Sequence, residues 1–192
     1  MSYKTYYSGI PLGGRGSSHK DSEMGSNQEP WYTRKSIEFL VSILTPEMDV
    51  LEYGCGSSTV WFSQRVKSIT TIEHDAGWKN LVEKTLSGRA NVRLLNIPLG
   101  EAYVNIVNTD DLIKDKQYDL VCIDGRLRSR CILECIDKVK SGGYLLLDNS
   151  ERPRYLDAWN QVPTDWEFFT FPGPGIAACG TPGDITRLAK KP

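Results

Sequence analysis

Val50-Leu51-Glu52-Tyr53-Gly54-Cys55-Gly56-Ser57-Ser58-Thr59 is the stretch that decides how this chain is read. Val50–Tyr53 is a short apolar run that reads as a strand. Gly54 and Gly56 then allow the backbone to turn tightly and to approach a ligand closely. A helix over Ser58–Val66 follows. Its free N–H groups and positive dipole end would face whatever the turn holds. A dinucleotide-binding turn would carry a third glycine at position 59, where this chain has Thr59.

Upstream, Trp31, Ile37, Leu40, Val41 and Leu44 fall at helical spacing until Pro46 stops them. Downstream, strand and helix alternate. Ser68–Glu73, Val92–Ile97, Tyr118–Asp124 and Tyr144–Asp148 read as strands. Trp78–Leu86, a weak helix near Asp110–Lys116, Arg128–Val139 and Tyr155–Val162 read as helices. Gly142-Gly143 reads as a turn. Trp166–Phe171 and Asp184–Ala189 are two last strands with no helix between them, so they are expected to pair antiparallel. Continuous apolar strands alternating with helices make a parallel sheet covered on both faces. The expected fold is therefore an α/β, Rossmann-like three-layer sandwich. Its sheet would have seven strands, mostly parallel, with one antiparallel edge strand. One domain is expected over residues 31–192. Residues 1–30, polar and rich in glycine and serine, read as a flexible arm or lid.

Composition narrows the function classes. The 192 residues are 40% hydrophobic and 24% charged, which excludes a largely disordered or fibrous chain. Lys plus Arg number 23 and Asp plus Glu 24, so nothing in the overall charge points to nucleic acid. No apolar run approaches the roughly 20 residues of a bilayer span, and no secretory h-region precedes Gly16, so no membrane partner is expected. The five cysteines, Cys55, Cys122, Cys131, Cys135 and Cys179, form no C-x-x-C pair. They read as small buried hydrophobes in a reducing, cytoplasmic setting.

In a parallel sheet of this kind, ligands sit at the carboxyl ends of the strands. The second strand ends Glu73-His74-Asp75, and Glu73 lies 19 residues after Gly54. An acid there can accept both hydroxyl protons of a ribose. The fourth strand ends Asp124-Gly125 and the fifth Asp148-Asn149. Asp124, Asp148 and Asn149 form an oxygen set suited to Mg²⁺, and equally suited to capping the helices that follow. Arg126, Arg128, Arg130, Arg152 and Arg154 surround the same strand ends. They suggest an anionic ligand held by guanidinium forks, or pairing with Glu134, Asp137, Glu151 and Asp157.

Glu52-x-Gly54-x-Gly56, followed by Glu73, Asp124 and the strand after Gly142-Gly143, resembles the class I S-adenosylmethionine-dependent methyltransferases over about residues 31–192. The resemblance implies S-adenosylmethionine as cofactor and Glu52, Gly54, Gly56, Ser58, Glu73, His74, Asp75 and Asp124 as its binding set. Asp124, Asp148 and Asn149 are similar to the metal ligands of the catechol and caffeoyl-CoA type O-methyltransferases, which makes Mg²⁺ a candidate second cofactor. Gly54–Trp61 and Ile123–Arg126 also match a G-x-G-x-S-T-x-W turn and an I-D-G-R strand of small methyltransferases that occur with sugar pathways. On this reading the acceptor is a small anionic or sugar-linked hydroxyl compound. Arg126 and Arg154 would contact it, and Trp31 and Tyr32 would close over it. Without a metal, Asp124 or His74 is the candidate catalytic base. A homodimer is a candidate assembly. An aminopropyl transferase, an NAD-binding oxidoreductase and a non-enzymatic cofactor-binding relic remain open as alternatives.

Overall fold

The alternation becomes a single eight-stranded sheet in the computed structural model, which describes residues 3–5 (main chain only), 29–175 and 183–192. The strands are β1 Tyr3–Thr5, β2 Asp49–Tyr53, β3 Ser68–Glu73, β4 Val92–Asn96, β5 Tyr118–Ile123, β6 Val139–Leu147, β7 Glu167–Pro172 and β8 Ile185–Lys190. Their spatial order is β1-β7-β8-β6-β5-β2-β3-β4. The seven expected strands are β2–β8, and all of their pairings among β2–β6 are parallel. β8 runs antiparallel to both β6 and β7 and lies between them. β1 adds an eighth strand, parallel to β7. It falls within the segment read as an arm. Residues 6–28, the Gly/Pro-rich loop over 176–182 and Cys179 lie outside the described residues.

Among the described residues six helices cover the sheet: α1 Arg34–Ile43, α2 Ser57–Ser63, α3 Ala76–Leu86, α4 Glu101–Thr109, α5 Arg128–Cys135 and α6 Leu156–Trp159. Strand residues alternate between faces, so each strand feeds two cores. Val50, Leu120, Cys122 and Leu146 pack with Ile37 and Leu40 of α1 and with Trp61 and Phe62 of α2. Leu51, Tyr53, Val121 and Leu145 pack with Tyr103 and Val107 of α4, Ile132 of α5 and Trp159 of α6. α3 joins the first face through Val82 and Leu86, which meet Cys55 and Val60.

Three expectations shift. The helix placed near Asp110–Lys116 is α4, which ends before Asp110; Tyr103, Val104 and Val107 supply its buried stripe. The helix expected over Arg128–Val139 stops as α5 at Cys135, and a short 3-10 turn leads into β6. Gly142-Gly143 lies within β6, where the register against β5 jumps. The four described cysteines are all buried, as expected of small hydrophobes.

Candidate functional site

The turn after β2 is built from beneath. Glu52 is fully buried, and its carboxyl accepts hydrogen bonds from Ser58 Oγ (2.5 Å), Thr59 Oγ1 (2.6 Å) and Thr71 Oγ1 (2.8 Å). Burial raises its pKa to about 7 even though all three hydroxyls favour the charged form. Glu52 and Ser58 therefore pin α2 to β2 and β3. Their side chains are spent on each other under the turn, so this pair supports from beneath the backbone expected to face the cofactor.

The two glycines of the turn differ. Gly54 has φ +94°, a region that side chains disfavour, and a Cβ there would come within 2.7 Å of the Gly125 backbone. The β2–α2 and β5–α5 turns thus touch main chain to main chain. Gly56 has extended geometry, φ 173°, open to any residue. A Cβ at Gly56 would meet nothing within 4 Å. Protein packing does not demand glycine at 56; a ligand lying on that backbone would.

Glu73 closes β3 beside this opening. Its Oε1 accepts the N–H groups of His74 and Asp75, both at 2.8 Å, and its Oε2 accepts the N–H of Cys55 at 3.1 Å. The carboxylate is buried, and its backbone partners hold it rigidly against the glycine turn. Trp78, from the first turn of α3, donates its indole N–H to the Cys55 carbonyl (2.7 Å) and fixes the turn from the other side. Nothing in the pattern of the sequence pointed to Trp78 beyond its place on a helix.

The other candidates divide. Asp75 accepts the Trp78 N–H and caps α3, which accounts for its side chain without a ligand. His74 turns Nδ1 to within 2.6 Å of Glu73 and sets its ring edge-on to Tyr103. It stands at the end of β3, two strands from Asp124, so the expected base role for His74 is not supported by its position. Tyr32 is fully buried between α1, α2 and the sheet, which removes it from any lid. Trp31 is 47% exposed beside it.

The expected metal set holds a protein cation instead. Arg128 Nη2 donates to Asp124 Oδ1 and to the Asp124 carbonyl, both at 2.6 Å. Its Nη1 donates to the Asp148 carbonyl (2.5 Å) and to Asn149 Oδ1 (3.4 Å), and its Nε to the Gly125 carbonyl (3.0 Å). The Asp148 carboxyl faces inward and accepts from Thr186 Oγ1 at 2.7 Å. Burial and the nearby Asp124 raise its pKa to about 8. Among the described residues no group of three His, Cys, Asp or Glu side chains is placed to hold a metal. The oxygens of Asp124, Asp148 and Asn149 do not fit Mg²⁺, because a guanidinium already sits among them.

The five arginines do not converge either. Arg128 is interior, Arg130 pairs with Glu101 at 2.6 Å, and Arg152 lies 3.4 Å from Glu151. Arg154 stacks on Tyr155 and donates to its hydroxyl. Arg126 is exposed, and among the described residues no side chain is paired with it. A hollow of about 380 Å³ between Ser141, Glu167 and Lys191 lies at the opposite end of the sheet, away from this chemistry.

No family model matches the sequence, and no curated protein matches it. Solved structures do. An rRNA methylase from Streptococcus thermophilus has a TM-score of 0.62 at 14% identity, over 82% of this chain and 94% of its own. The N-methyltransferase NodS from Bradyrhizobium japonicum, solved with S-adenosylhomocysteine, has a TM-score of 0.56 at 13% identity, covering 80% and 81%. A precorrin-6Y C5,15-methyltransferase from Geobacter metallireducens has a TM-score of 0.57 at 13% identity, covering 82% and 86%. The fold is that of the Rossmann-like methyltransferases. At these identities the likeness is one of fold. Among the described residues no helix is long and apolar enough to cross a membrane.

Proposed function

We propose that this chain is an S-adenosylmethionine-dependent methyltransferase. The observation that carries the reading is the open space at Gly56 beside the buried Glu73 carboxylate, at the ends of two adjacent parallel strands. In this reading Glu73 accepts the ribose hydroxyls, and the Gly54–Gly56 backbone receives the amino-acid end of the cofactor. Bound there, the cofactor supplies a methyl group already activated by a positive sulfur. The protein then has to align an acceptor with it and exclude water, which can supply up to about 7–11 kcal/mol.

For the acceptor we propose a small hydroxyl compound bearing an anionic or sugar-linked group, methylated on oxygen. Asp124 is the base. Burial pushes its carboxyl above the usual range while Arg128 pulls it down, and its side chain is still 24% exposed at the cleft. A carboxyl moved toward neutrality is a better proton acceptor at working pH. Arg126, exposed at the start of the next turn, is the contact for the anionic group.

The test is a thermal-shift comparison of S-adenosylmethionine, S-adenosylhomocysteine, NAD and decarboxylated S-adenosylmethionine, since a ligand of the native state raises apparent stability. The first two should raise the Tm. A rise with NAD alone, or with the decarboxylated compound alone, would replace the reading by an oxidoreductase or an aminopropyl transferase. Arg126→Glu should raise the acceptor KM and leave S-adenosylhomocysteine affinity unchanged. Salt-sensitive methylation of RNA would refute the small-molecule acceptor.

A further inference from the structure

Arg128 is 8% exposed, and a buried cation is costly unless its charge and every donor are matched. Here they are matched completely. A guanidinium has five N–H groups in a planar fork. Arg128 makes five hydrogen bonds with them: one from Nε, two from Nη1 and two from Nη2. Three of the acceptors are main-chain carbonyls, those of Asp124, Gly125 and Asp148, at the ends of β5 and β6. The other two are Asp124 Oδ1 and Asn149 Oδ1. The Tyr155 ring lies 5.7 Å from the guanidinium carbon. Asn149 has φ +50°, a left-handed conformation, at the point where its side chain joins this set.

Carbonyl and carboxylate oxygens gathered in this way are the ligands a hard divalent ion takes. A guanidinium delivers one charge to them and fixes their directions through its rigid geometry. Asp124 Oδ1 is thereby occupied, and among the described residues Oδ2 accepts no hydrogen bond.

We propose that Arg128 is the resident cation of this cleft: a positioning residue that locks the ends of β5 and β6 together and leaves Asp124 Oδ2 as the oxygen available to a ligand, where a divalent metal would otherwise bind. This rests on the methyltransferase reading for what the cleft does. The contact set itself does not depend on that reading.

Three measurements on the full chain test it: Mn²⁺ binding by the loss of its free spin-resonance signal, thermal unfolding with and without millimolar ethylguanidinium, and calorimetry with S-adenosylhomocysteine. The wild-type chain should leave Mn²⁺ free, and its Tm should not move with ethylguanidinium. Arg128→Ala should lower the Tm, and ethylguanidinium should raise it again in this variant alone, restoring S-adenosylhomocysteine affinity in parallel. Arg128→Lys keeps the charge and loses the fork, so it should not recover. Stoichiometric Mn²⁺ binding by the wild type overturns the proposal. So does an Arg128→Ala chain that ethylguanidinium neither stabilises nor helps to fold. If the wild type binds no S-adenosylhomocysteine, the methyltransferase reading falls, while the Mn²⁺ and unfolding measurements still decide the role of Arg128.

Discussion

Glu52 and Glu73 sit on neighbouring strands at the same end of the sheet, and their surroundings give them opposite duties. Glu73 is anchored by backbone N–H groups, so its carboxylate is held ready beside the open position at Gly56. Glu73→Gln should weaken S-adenosylhomocysteine binding by roughly 1.5–3 kcal/mol, the range for a hydrogen bond to a charged group. Calorimetry on a variant shown to be folded by circular dichroism checks this. Glu52 is sealed, with its pKa raised from 4.5 to about 7. The folded state therefore keeps a proton that the unfolded chain has lost between these values. Stability from this group is complete below pH 4.5 and declines as pH rises through 7. Glu52→Gln should keep the fold and flatten the fall of Tm across that window, by up to a few kcal/mol in free energy. An unchanged slope would show that burial of this carboxyl does not set it. Asp148, raised to about 8, adds decline of the same sign at higher pH.

Between elements, the contact that matters is turn against turn. The backbone after β2 presses on the backbone after β5 at Gly54 and Gly125, and this sets how closely the two strand ends approach. Gly54→Ala combines a disfavoured φ with a clash against main chain, so it should cost about 3 kcal/mol or more. Urea unfolding measures it. The sequence made this turn legible, because glycine at 54 after an apolar run has few other meanings. The strand ends were legible too: Glu73, Asp124 and Asp148 emerge where the alternation put them. Asp148 departs from its expected outward role because strand position does not say whether a terminal carboxyl turns outward or down to a neighbour, here Thr186 on β8. Arg128 differs from its expectation for a related reason. Arg126, Arg128 and Arg130, spaced two apart, read alike as contacts for an anionic ligand or partners of nearby acids, and spacing does not show that α5, starting after Leu127 at φ +50°, buries Arg128 alone of the three. α4 lies earlier in the chain than its expected place because its buried stripe of Tyr103, Val104 and Val107 is short and broken by Asn105.

Across the whole molecule, one sheet carries two cores, and its two edges differ. β4 closes one edge. At the other, β7 is covered by the three residues of β1, which come from the far end of the chain. Three residues in a polar, glycine-rich setting carry no periodicity, which is why the eighth strand could not be read in advance. Among the described residues the cores draw on β2–β8, their helices and the connections between them, such as Tyr32, Ile113 and Trp166. A chain starting at Glu29 should therefore keep its near-ultraviolet circular dichroism and most of its Tm. It should also associate as concentration rises, because an uncovered edge strand offers its unpaired N–H and C=O groups to another copy. Sedimentation velocity distinguishes this from a truncated chain that stays monomeric, which would mean that β1 protects nothing.

The backbone contact between Gly54 and Gly125 also constrains how this protein can change over generations. A methyl group at either position presses the same two turns apart: at Gly125 it would approach Gly54 N to 2.9 Å, and at Gly54 it would approach Gly125 N to 2.7 Å. At Gly125 it would also displace the Tyr103 hydroxyl, a cost of its own that the partner does not share. Once one substitution has forced that gap, the second finds part of it already open. Gly54→Ala and Gly125→Ala together should then cost less than the sum of their separate costs, by roughly 0.5–3 kcal/mol, the range for residues in direct contact. The pair is thus a ratchet: each glycine makes the other hard to lose, and a lineage that has lost one has less reason to keep its partner.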